Sequence, residues 1–578
     1  MSKATPLIDR VRPSDSDWPT EAVWDRLRRD VAGNLVKVPS PFAELAGLPR
    51  GRDDCEKFFR KLKNPYYLGD ESGLTQTLGW VGAWTSQPSV YAVAAGSAED
   101  IVAAINFARE HRLRLVIKGG GHSYQGTSNA PDSLLIWMRN MNRIKLHEMF
   151  VCAGCEDQAT ATPAVSVEAG AIWGQVYDAV VGKAGRYVQG GGCLTVGVAG
   201  LVQSGGFGSF SKAYGLACGS LLEAEIVIAD GTVRTVNRQM EPDLFWGIKG
   251  GGGGSLGVIT RLTLRTHPLP NFFGRVQGTI RAKSDEAFRE LIRKVVCFYR
   301  EALFNPHWGE QIALRSGKIL DFNMVFQALD QKEAEVIWRP LLDWVAASSN
   351  HLALVNPIRI LAAPARLRWD SEYLKQIGLV LQDDRPGASP AHVYWAGNQE
   401  ETGMVLHAYQ SAWIPASLLQ PDRQEALVSS LFAAAKHWEV VLHTNKGLAG
   451  GTPEAIATAR DTAMNPAVAD AFALLICANA EQPAYPGIPG HEPDVVTARE
   501  HARAVERAMK EIRSLVPMAG SYVAESDYFK AEWQRSFWGP NYQRLLAIKE
   551  RYDPEGLFFV HHGVGAERWS LDGFRKIS

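Results

Sequence analysis

Several features that would assign this chain to a common class are missing from its 578 residues. No run of eighteen apolar residues occurs, so no membrane-spanning helix is expected. The formal net charge is only −1, which argues against a nucleic acid or an anionic membrane as partner. The N-terminal residues contain no apolar signal core, so we expect a cytoplasmic protein, or a secreted one if the chain has been trimmed.

The usual cysteine and glycine motifs for zinc and nucleotides are incomplete. Cys152 and Cys155 have zinc-knuckle spacing, but no second ligand pair follows at zinc distance, so we expect no metal; the pair forms a small disulfide or two free thiols. Gly121 and Gly126 have P-loop spacing, but threonine follows where a P-loop requires lysine. Gly252 to Gly257 satisfies the dinucleotide fingerprint, yet a helical pattern precedes it and a strand pattern follows, which is the reverse of a Rossmann unit.

Two glycine-rich stretches carry the most reactive side chains of the sequence. The first, Lys118 to Gly126, contains His122, and the second, Gly190 to Gly197, contains Cys193. Glycine permits a positive φ and lets the backbone approach a ligand closely. Successive amides in such a turn form an anion site that suits a pyrophosphate. Two nucleophilic side chains, each set among glycines, indicate one cofactor held from two sides.

Hydrophobic patterns place the first glycine stretch at the end of a strand. Val90 to Ala94 predicts a strand, Ser97 to Asp100 predicts a helix start, and Leu113 to Ile117 predicts the strand that enters the glycines. Ligands of α/β folds bind at the carboxyl ends of strands. A second group of elements follows from about residue 160, with a helix over Ile172 to Val181 and a hairpin that turns at Asp230-Gly231.

These motifs, taken in order, resemble the vanillyl-alcohol-oxidase and berberine-bridge-enzyme superfamily of FAD-linked oxidases. The resemblance covers roughly residues 75–268 and 520–578, and the tail is most similar to the isoamyl-alcohol-oxidase-like branch. The matching residues are Gly119-Gly-Gly-His122-Ser-Tyr, Cys193-x-Thr-Val-Gly197, Ser204-Gly-Gly-Phe-Gly208, Ala229-Asp-Gly231, Gly250 to Val258, Tyr552-Asp-Pro-Glu-Gly-Leu-Phe558 and Phe559-Val-His-His-Gly-Val-Gly565.

The resemblance implies an α+β fold with a para-cresol-methylhydroxylase-type FAD-binding domain of two subdomains and a substrate (cap) domain. For the cap, alternating strand and long helix patterns predict an antiparallel sheet covered by helices. We expect an N-terminal extension over 1–74, the FAD-binding domain over 75–268, the cap over 269–519, and a C-terminal segment over 520–578 that returns to the FAD domain. The glycine-rich start of 447–471 predicts a mobile loop over the site.

The resemblance also implies a bicovalent FAD, attached to His122 at the 8α-methyl carbon and to Cys193 at C6. A helix start after Cys193 would lower the pKa of its thiol. The remaining cofactor contacts fall on the glycine loops and the C-terminal tail. The residues expected to bind FAD are Lys118, Gly119, Gly120, Gly121, Ser123, Tyr124, Gly126, Thr195, Gly197, Gly200, Gly205, Gly206, Gly257, Val258 and His561.

By the same resemblance, Val196 lies where the family controls the access of oxygen to the flavin, and valine there is associated with oxidases. Tyr522 matches the strand that carries the family's active-site tyrosine and is the first candidate for the general base, with Glu525 and Asp527 as alternatives. His562 or its neighbour would stabilise the reduced flavin. The cap residues that could face substrate are Lys446, His443, Tyr409, His407 and Tyr394.

The expected function is an FAD-dependent oxidase that takes a hydride from a carbinol or hemiacetal carbon and passes the electrons to O₂, giving peroxide. A carbohydrate (oligosaccharide) oxidase and an oxidative cyclase of secondary metabolism are enzymatic alternatives; a non-catalytic flavin-binding protein is the alternative of another class. A tryptophan-rich cap would favour sugars, and an apolar cap would favour alcohols. The expected partners are a small-molecule substrate and O₂, and the chain is expected to be a monomer or weak dimer.

Overall fold

The computed structural model describes residues 9–42, 53–155, 161–481, 483–485, 488 and 490–577. None of the described helices is both long and apolar enough to cross a lipid bilayer. The α-helices span Glu21–Asp30, Asp53–Leu62, Pro65–Asp70, Ala98–Glu110, Trp173–Tyr177, Val198–Gln203, Ser211–Tyr214, Pro242–Ile248, Asp285–Phe298, Gln331–Ala347, Ser371–Gln376, Asn398–Glu401, Gln424–Ala435, Pro453–Arg460, Ala467–Asp470, Val495–Leu515, Trp533–Trp538 and Tyr542–Tyr552.

The first sheet has the predicted strand–helix–strand order. Its neighbouring strands are, in order, Leu35–Lys37, Tyr91–Ala94, Ser133–Trp137 and Arg114–Lys118. The last three run parallel, so their carboxyl ends meet at one edge. A helix connects the strand Tyr91–Ala94 to the strand Arg114–Lys118. Its N-cap is Ser97, whose Oγ accepts a hydrogen bond from the Asp100 amide at 3.4 Å. The chain leaves this edge at Lys118 and enters the first glycine stretch, as predicted.

The second sheet is antiparallel and contains the predicted hairpin. Its neighbouring strands are, in order, Val233–Asn237, Leu221–Val227, Val258–Arg265, Thr162–Glu168 and Ile144–Phe150. The helix expected over Ile172 to Val181 starts as an α-helix and continues as a π-helical turn over Asp178–Lys183. The glycines from Gly252 to Gly257 lie between the helix Pro242–Ile248 and the strand Val258–Arg265, so they are not part of a Rossmann unit, as expected.

Within the described chain, nine strands form the cap sheet, which is antiparallel except at one edge. Its neighbouring strands are, in order, Leu352–Pro364, Phe272–Ala282, Ile319–Gln327, Trp308–Arg315, Val440–His443, Ala471–Glu481, Val405–Pro415, Gly79–Trp80 and Trp84–Thr85. The last two come from residues that the sequence placed in the FAD-binding domain. Gly79 and Trp80 run parallel to Val405 and Leu406, so the chain contributes to the cap between the strands Leu35–Lys37 and Tyr91–Ala94 of the first sheet.

The two faces of the cap sheet are buried in different cores. On one face, Leu291, Leu431 and Met509 of the covering helices pack into a core with the strands. On the other face, Trp413 and Ile476 belong to the core that also contains the FAD-binding sheets. Removing apolar surface from water contributes roughly 25 cal/mol per Å², so both layers hold the cap in place. The uncovered part of the inner face is therefore available to a ligand.

The segment 447–452 is not a loop over the site, so that prediction is wrong. Lys212 is buried, and its ammonium donates hydrogen bonds to the carbonyls of Gly447, Ala449 and Phe472. Burial lowers the pKa of Lys212 to about 7. These bonds anchor the segment beside the cap sheet, and none of its residues lines the cavity described below.

Cys152 and Cys155 form a disulfide, which decides between the two alternatives that their spacing left open. The bond closes a short loop just after the strand Ile144–Phe150. Cys193 and Cys297 are among the free thiols of the described chain, and both are partly exposed.

Candidate active site

The two glycine stretches meet at the carboxyl edge of the first sheet. A Cβ built on Gly120 would lie 2.5 Å from the amide nitrogen of Gly197, and one on Gly197 would lie 2.6 Å from the amide nitrogen of Gly120. Only glycine lets two backbone segments approach this closely. His122 and Cys193, which belong to these two stretches, consequently line one cavity.

Replacing Gly120 with alanine should force the two glycine stretches apart. The new methyl group overlaps the Gly197 backbone, so we expect a loss of about 1–3 kcal/mol of unfolding free energy, the usual cost of overpacking. Gly397→Ala is the matched control, because a Cβ there meets no atom within 4 Å and its φ of −64° suits alanine. Denaturant titration measures both variants, and equal stabilities would contradict the close contact.

The imidazole of His122 is half-buried and uncharged at neutral pH. Burial lowers its pKa to about 4 and the charge of Arg139 adds to this effect, while a hydrogen bond with the Thr195 backbone opposes it. A neutral imidazole keeps a nitrogen lone pair, which is its nucleophilic form. Because Thr195 belongs to the second glycine stretch, this hydrogen bond also holds the ring against the loop that carries Cys193.

The thiol of Cys193 lacks the lowered pKa that the sequence predicted. Burial raises its pKa to about 11 and the charge of Glu401 adds to this effect, while hydrogen bonds with the Thr195 hydroxyl and with the amides of Thr195 and Val196 oppose it. The following helix begins only at Val198, so its N-terminus does not offset the burial. Sγ lies 3.4 Å from Asn398 Oδ1, to which the thiol donates a hydrogen bond. In this environment Cys193 keeps its proton at neutral pH.

A cavity of about 730 Å³ is lined by the glycine loops, the cap and the C-terminal segment. Its volume lies within the range of about 300–1,000 Å³ that ligand sites commonly have. Gly192 and Gly200 face open space in it, since a Cβ on either would meet no atom within 4 Å. Ser255 Oγ and Gln125 Oε1 are buried in its wall without a hydrogen-bond partner among the described residues. Open space beside unpaired polar atoms fits an extended polar cofactor such as FAD.

Two stacked histidines close the C-terminal side of the cavity. His561 stacks on Tyr528 at 3.8 Å between ring centroids, and His562 stacks on His561 at 3.9 Å. Burial lowers the pKa of His561 to about 4 and that of His562 to about 3, so both rings are neutral. In the described part of the chain, the buried Nδ1 of His562 has no hydrogen-bond partner. It is therefore free to make one hydrogen bond to a bound group.

Tyr522 lies in a tight turn, not in the strand that the resemblance implied. The Glu525 amide donates to the Tyr522 carbonyl at 3.0 Å and closes the turn. The phenol oxygen is buried and accepts a hydrogen bond from the Gly206 amide at 3.4 Å. Burial, followed by the charge of Glu525, raises the pKa of Tyr522 above its ordinary value. Such a phenol keeps its proton at neutral pH, which disfavours Tyr522 as general base.

Glu525 and Lys446 form an ion pair in the cavity wall. Lys446 Nζ lies 2.6 and 2.5 Å from the two carboxylate oxygens of Glu525. The lysine side chain is only 13% exposed and the glutamate side chain only 18% exposed. The lysine follows the cap strand Val440–His443, whereas the glutamate belongs to the C-terminal segment. The pair therefore joins the cap to the segment that returns to the FAD sheets. Asp527, the other carboxylate considered as base, does not line the cavity.

Family models match the segments that build this cavity. The FAD binding domain model matches residues 89–237, and the berberine and berberine like model matches residues 521–565. The FAD-linked oxidoreductase easE of Trichophyton verrucosum is 27% identical, covering 97% of this chain and 91% of its own. The chain is an FAD-linked oxidoreductase, and it is similar to proteins of the vanillyl-alcohol-oxidase and berberine-bridge type. The VAO-type flavoprotein oxidase VAO615 of Thermothelomyces thermophilus is also 27% identical, covering 98% of this chain and 95% of its own.

Solved structures share the fold of this flavoprotein. The crystal structure of the VAO-type flavoprotein MtVAO615 from Myceliophthora thermophila C1 has a TM-score of 0.79 at 24% identity and covers 98% of this chain and 99% of its own. The glucooligosaccharide oxidase of Acremonium strictum has a TM-score of 0.64 at 18% identity and covers 86% of this chain and 94% of its own. The predicted two-subdomain FAD domain with a helix-covered cap is thereby confirmed as the fold.

Most residues that were expected to bind FAD line the cavity of the flavoprotein. Those in the lining are Gly119, Gly120, Gly121, His122, Ser123, Tyr124, Gly126, Cys193, Gly197, Gly200, Gly257 and His561. The candidates for catalysis, Val196, Tyr522, Glu525 and His562, line it as well. Those placed behind the lining are Lys118, Thr195, Gly205, Gly206 and Val258.

Lys118 points away from the cavity toward the N-terminal extension. Its ammonium donates to the carbonyls of Glu71, Ser72 and Leu74 at 3.1, 2.6 and 3.0 Å. Burial lowers the pKa of Lys118 to about 7. The side chain therefore fastens residues 71–74 to the start of the glycine loop, a role that the flanking sequence does not reveal.

The structure brings three of the five cap candidates to the cavity. Those that line the cavity are Lys446, His443 and Tyr409, whereas Tyr394 and His407 lie outside the lining. Sequence reasoning missed four polar residues that line it from the cap, which are Glu310, Gln311, Glu401 and Asn445. No motif marked them, because they come from the strand Trp308–Arg315, the helix Asn398–Glu401 and the turn after the strand Val440–His443, which only the folded chain brings together.

Proposed function

We propose that this flavoprotein is an oxidase that converts an alcohol, at a carbinol or hemiacetal carbon, to a carbonyl group. Two electrons and two protons pass to O₂, giving H₂O₂. The observation that carries the proposal is the convergence of His122, Cys193 and the Lys446–Glu525 pair on one cavity. The alcohol loses a hydride and a proton, so the site needs an electron acceptor beside a proton acceptor. His122 and Cys193 supply attachment points for the electron acceptor, and Glu525 supplies a carboxylate as proton acceptor.

We infer that FAD is attached through both His122 and Cys193. FAD, when bound, supplies the hydride acceptor and the route for electrons to oxygen. His122 is already in its neutral form, whereas the Cys193 thiol must lose its proton before it becomes a nucleophile. The structure of the glucooligosaccharide oxidase is described as containing a 6-S-cysteinyl, 8α-N1-histidyl FAD, which supports the same two links in this related fold.

We infer that Glu525 accepts the hydroxyl proton of the substrate. Its carboxylate lies in the cavity wall and is oriented by Lys446, and Ser411 Oγ donates to its backbone carbonyl at 2.6 Å. Tyr522 was the first candidate by resemblance, but its raised pKa favours the protonated phenol. In that form the phenol can donate a hydrogen bond to the oxygen of the substrate. Tyr522 remains the alternative base.

Val196→Leu should slow the reoxidation of the reduced enzyme several-fold. Val196 lines the cavity beside the Cys193 loop and is only partly buried, so the extra methylene would occupy space that is open to oxygen. Reduction by substrate should change little, because the proton acceptor is untouched. Mixing reduced enzyme with air-saturated buffer in a stopped-flow instrument measures the rate, and equally fast reoxidation would remove Val196 as the oxygen gate.

The cap presents polar side chains to the cavity, and their polarity indicates which class of substrate the cavity suits. The cap residues in the lining all carry a polar group, and they are Glu310, Gln311, Glu401, Tyr409, His443, Asn445 and Lys446. The tryptophans in the lining are Trp84, on the edge strand of the cap sheet, and Trp538, in the C-terminal segment. The cap is therefore neither rich in tryptophan at the site nor apolar, and it suits a substrate with several hydroxyl groups. This supports an oligosaccharide oxidase as second candidate, and solved chitooligosaccharide and xylooligosaccharide oxidases share the fold.

A peroxide assay over a panel of alcohols, monosaccharides and oligosaccharides tests the proposal. Peroxide formed in proportion to carbonyl product supports alcohol oxidation, and activity confined to oligosaccharides selects the second candidate. Ring closure in a phenolic or amine substrate would instead indicate an oxidative cyclase. A protein that keeps its flavin but turns over none of these compounds would favour a non-catalytic flavin-binding role.

A further inference from the structure

Two histidines and one glutamate form a cluster on the helix-covered face of the cap sheet. His407 lies on the strand Val405–Pro415, Glu481 ends the neighbouring strand, and His501 lies on the covering helix Val495–Leu515. Each residue offers one atom that could bind a metal ion, a ring nitrogen or a carboxylate oxygen, and these three atoms lie within 4.8 Å of one another. None of the three residues lines the cofactor cavity.

A β-bulge accounts for the orientation of His407. The pairing register with the neighbouring strand shifts between Leu406 and Ala408, so His407 is the extra residue. Bulges re-aim side chains, and the His407 ring lies 5.6 Å from the ring of His501 between centroids. Without the bulge, strict alternation would place His407 on the same face as Tyr409, which lines the cavity.

The buried polar atoms of this cluster lack their usual hydrogen bonds. The side chain of His407 is only 1% exposed, yet neither of its ring nitrogens has a hydrogen-bond partner among the described residues. In the same part of the chain, Glu481 Oε1 is also buried without a hydrogen-bond partner. Buried polar groups of native proteins are nearly always paired. Unpaired nitrogen and oxygen atoms that converge in this way indicate a missing ligand.

The two distances from the glutamate to the histidines suit a tetrahedral metal ion. Glu481 Oε1 lies 3.5 Å from His407 Nδ1 and 3.3 Å from His501 Nδ1. Zinc binds nitrogen and oxygen at about 2.0–2.1 Å in tetrahedral geometry, which separates two ligand atoms by about 3.3–3.4 Å. Asn479 Nδ2 lies 3.2 Å from His501 Nδ1. Rotation of this amide would bring its oxygen or nitrogen toward a fourth metal ligand beside His501.

We propose that His407, Glu481 and His501 bind one Zn²⁺ ion, with water as the fourth ligand. Two imidazoles and one carboxylate are a donor set that zinc accepts while keeping one position open. The side chain of His501 is 36% exposed, so the ion can enter from solvent. The bound ion ties two cap strands to the covering helix. It thereby stabilises the strand that presents Tyr409 to the cofactor cavity on the opposite face.

Zinc retention by the untagged holoenzyme tests the site. Protein treated with a chelator, loaded with Zn²⁺ and then dialysed should retain one zinc per chain by plasma mass spectrometry. His501→Gln and Glu481→Gln should each retain roughly a tenth of this amount or less, because losing one ligand of three greatly weakens binding. His437→Gln is the matched control, since this side chain is also 36% exposed and lies outside the cluster near Glu511; it should retain the full amount.

A second measurement follows the effect of the ion on the fold. Zinc should raise the midpoint of thermal unfolding for the wild type and for His437→Gln, but not for His501→Gln, because a ligand stabilises only the state that binds it. His501 is partly exposed, so its replacement should leave the protein folded. Absence of retained zinc in the wild type, or equal retention in His501→Gln, would overturn the proposal.

Discussion

Acid precipitation of the wild-type protein should leave the flavin in the pellet, because both His122 and Cys193 attach it. His122→Ala and Cys193→Ala should each keep the flavin through the remaining link, whereas the double variant should release all of it. The absorbance of the supernatant after precipitation measures the released fraction. A change from full retention to complete loss is the largest effect expected for any substitution in this protein.

A control separates the proposed links from a general effect of removing a thiol. Cys297 is also a free and partly exposed cysteine, but it lies outside the cavity, so Cys297→Ala should keep the flavin attached. Mass spectrometry of proteolytic peptides should find the flavin mass on the peptides that contain residues 122 and 193. Release of all flavin from the denatured wild type would rule out both links. If the wild type retained its flavin but His122→Ala released it, the link at Cys193 would be ruled out.

Glu525→Gln should slow the reduction of the flavin by substrate about 10²–10⁴-fold, the usual contribution of a general base. Glutamine keeps the size of the side chain but cannot accept the proton. Tyr522→Phe should have a much smaller effect, because the raised pKa of this phenol already keeps it protonated. Anaerobic stopped-flow measurement at several substrate concentrations separates the reduction rate from binding. We expect the rate to change more than the apparent dissociation constant.

A double variant distinguishes the chemistry of Glu525 from its role in the ion pair. Removing one partner of a buried pair leaves an uncompensated charge, here on Lys446, which costs about 3–5 kcal/mol. Lys446→Met combined with Glu525→Gln removes both charges and should regain most of the stability without regaining the reduction rate. Wild-type reduction in the double variant would assign Glu525 a structural role only. Near-normal reduction in Glu525→Gln with a large loss in Tyr522→Phe would make Tyr522 the base.

Elements with short-range causes were predictable near the site. The Ser97 cap and the strand that ends at Lys118 depend on neighbouring residues, and each lies within about one residue of its expected position. The strands Gly79–Trp80 and Trp84–Thr85 were not predictable. They are too short to show a period, and they form only because distant residues of the cap supply the hydrogen bonds.

Electrostatic expectations failed where burial outweighed local sequence. Cys193 was expected to have a lowered thiol pKa, but the cap covers it and brings Glu401 near, and both effects raise the pKa. Lys118 was expected beside the cofactor, yet three backbone carbonyls of the N-terminal extension attract its ammonium. Neither outcome depends on the residues adjacent in the chain.

The amino-acid sequence by itself determined the two glycine stretches with His122 and Cys193, since close backbone contact and nucleophilic character are properties of the residues themselves. Tertiary structure alone decided which groups surround them. The Lys446–Glu525 pair and the polar cap residues come from segments far apart in the chain, so they meet only when the sheets pack. Solvent exclusion in that packed state, rather than residue type, then set which side chains carry charge at the site.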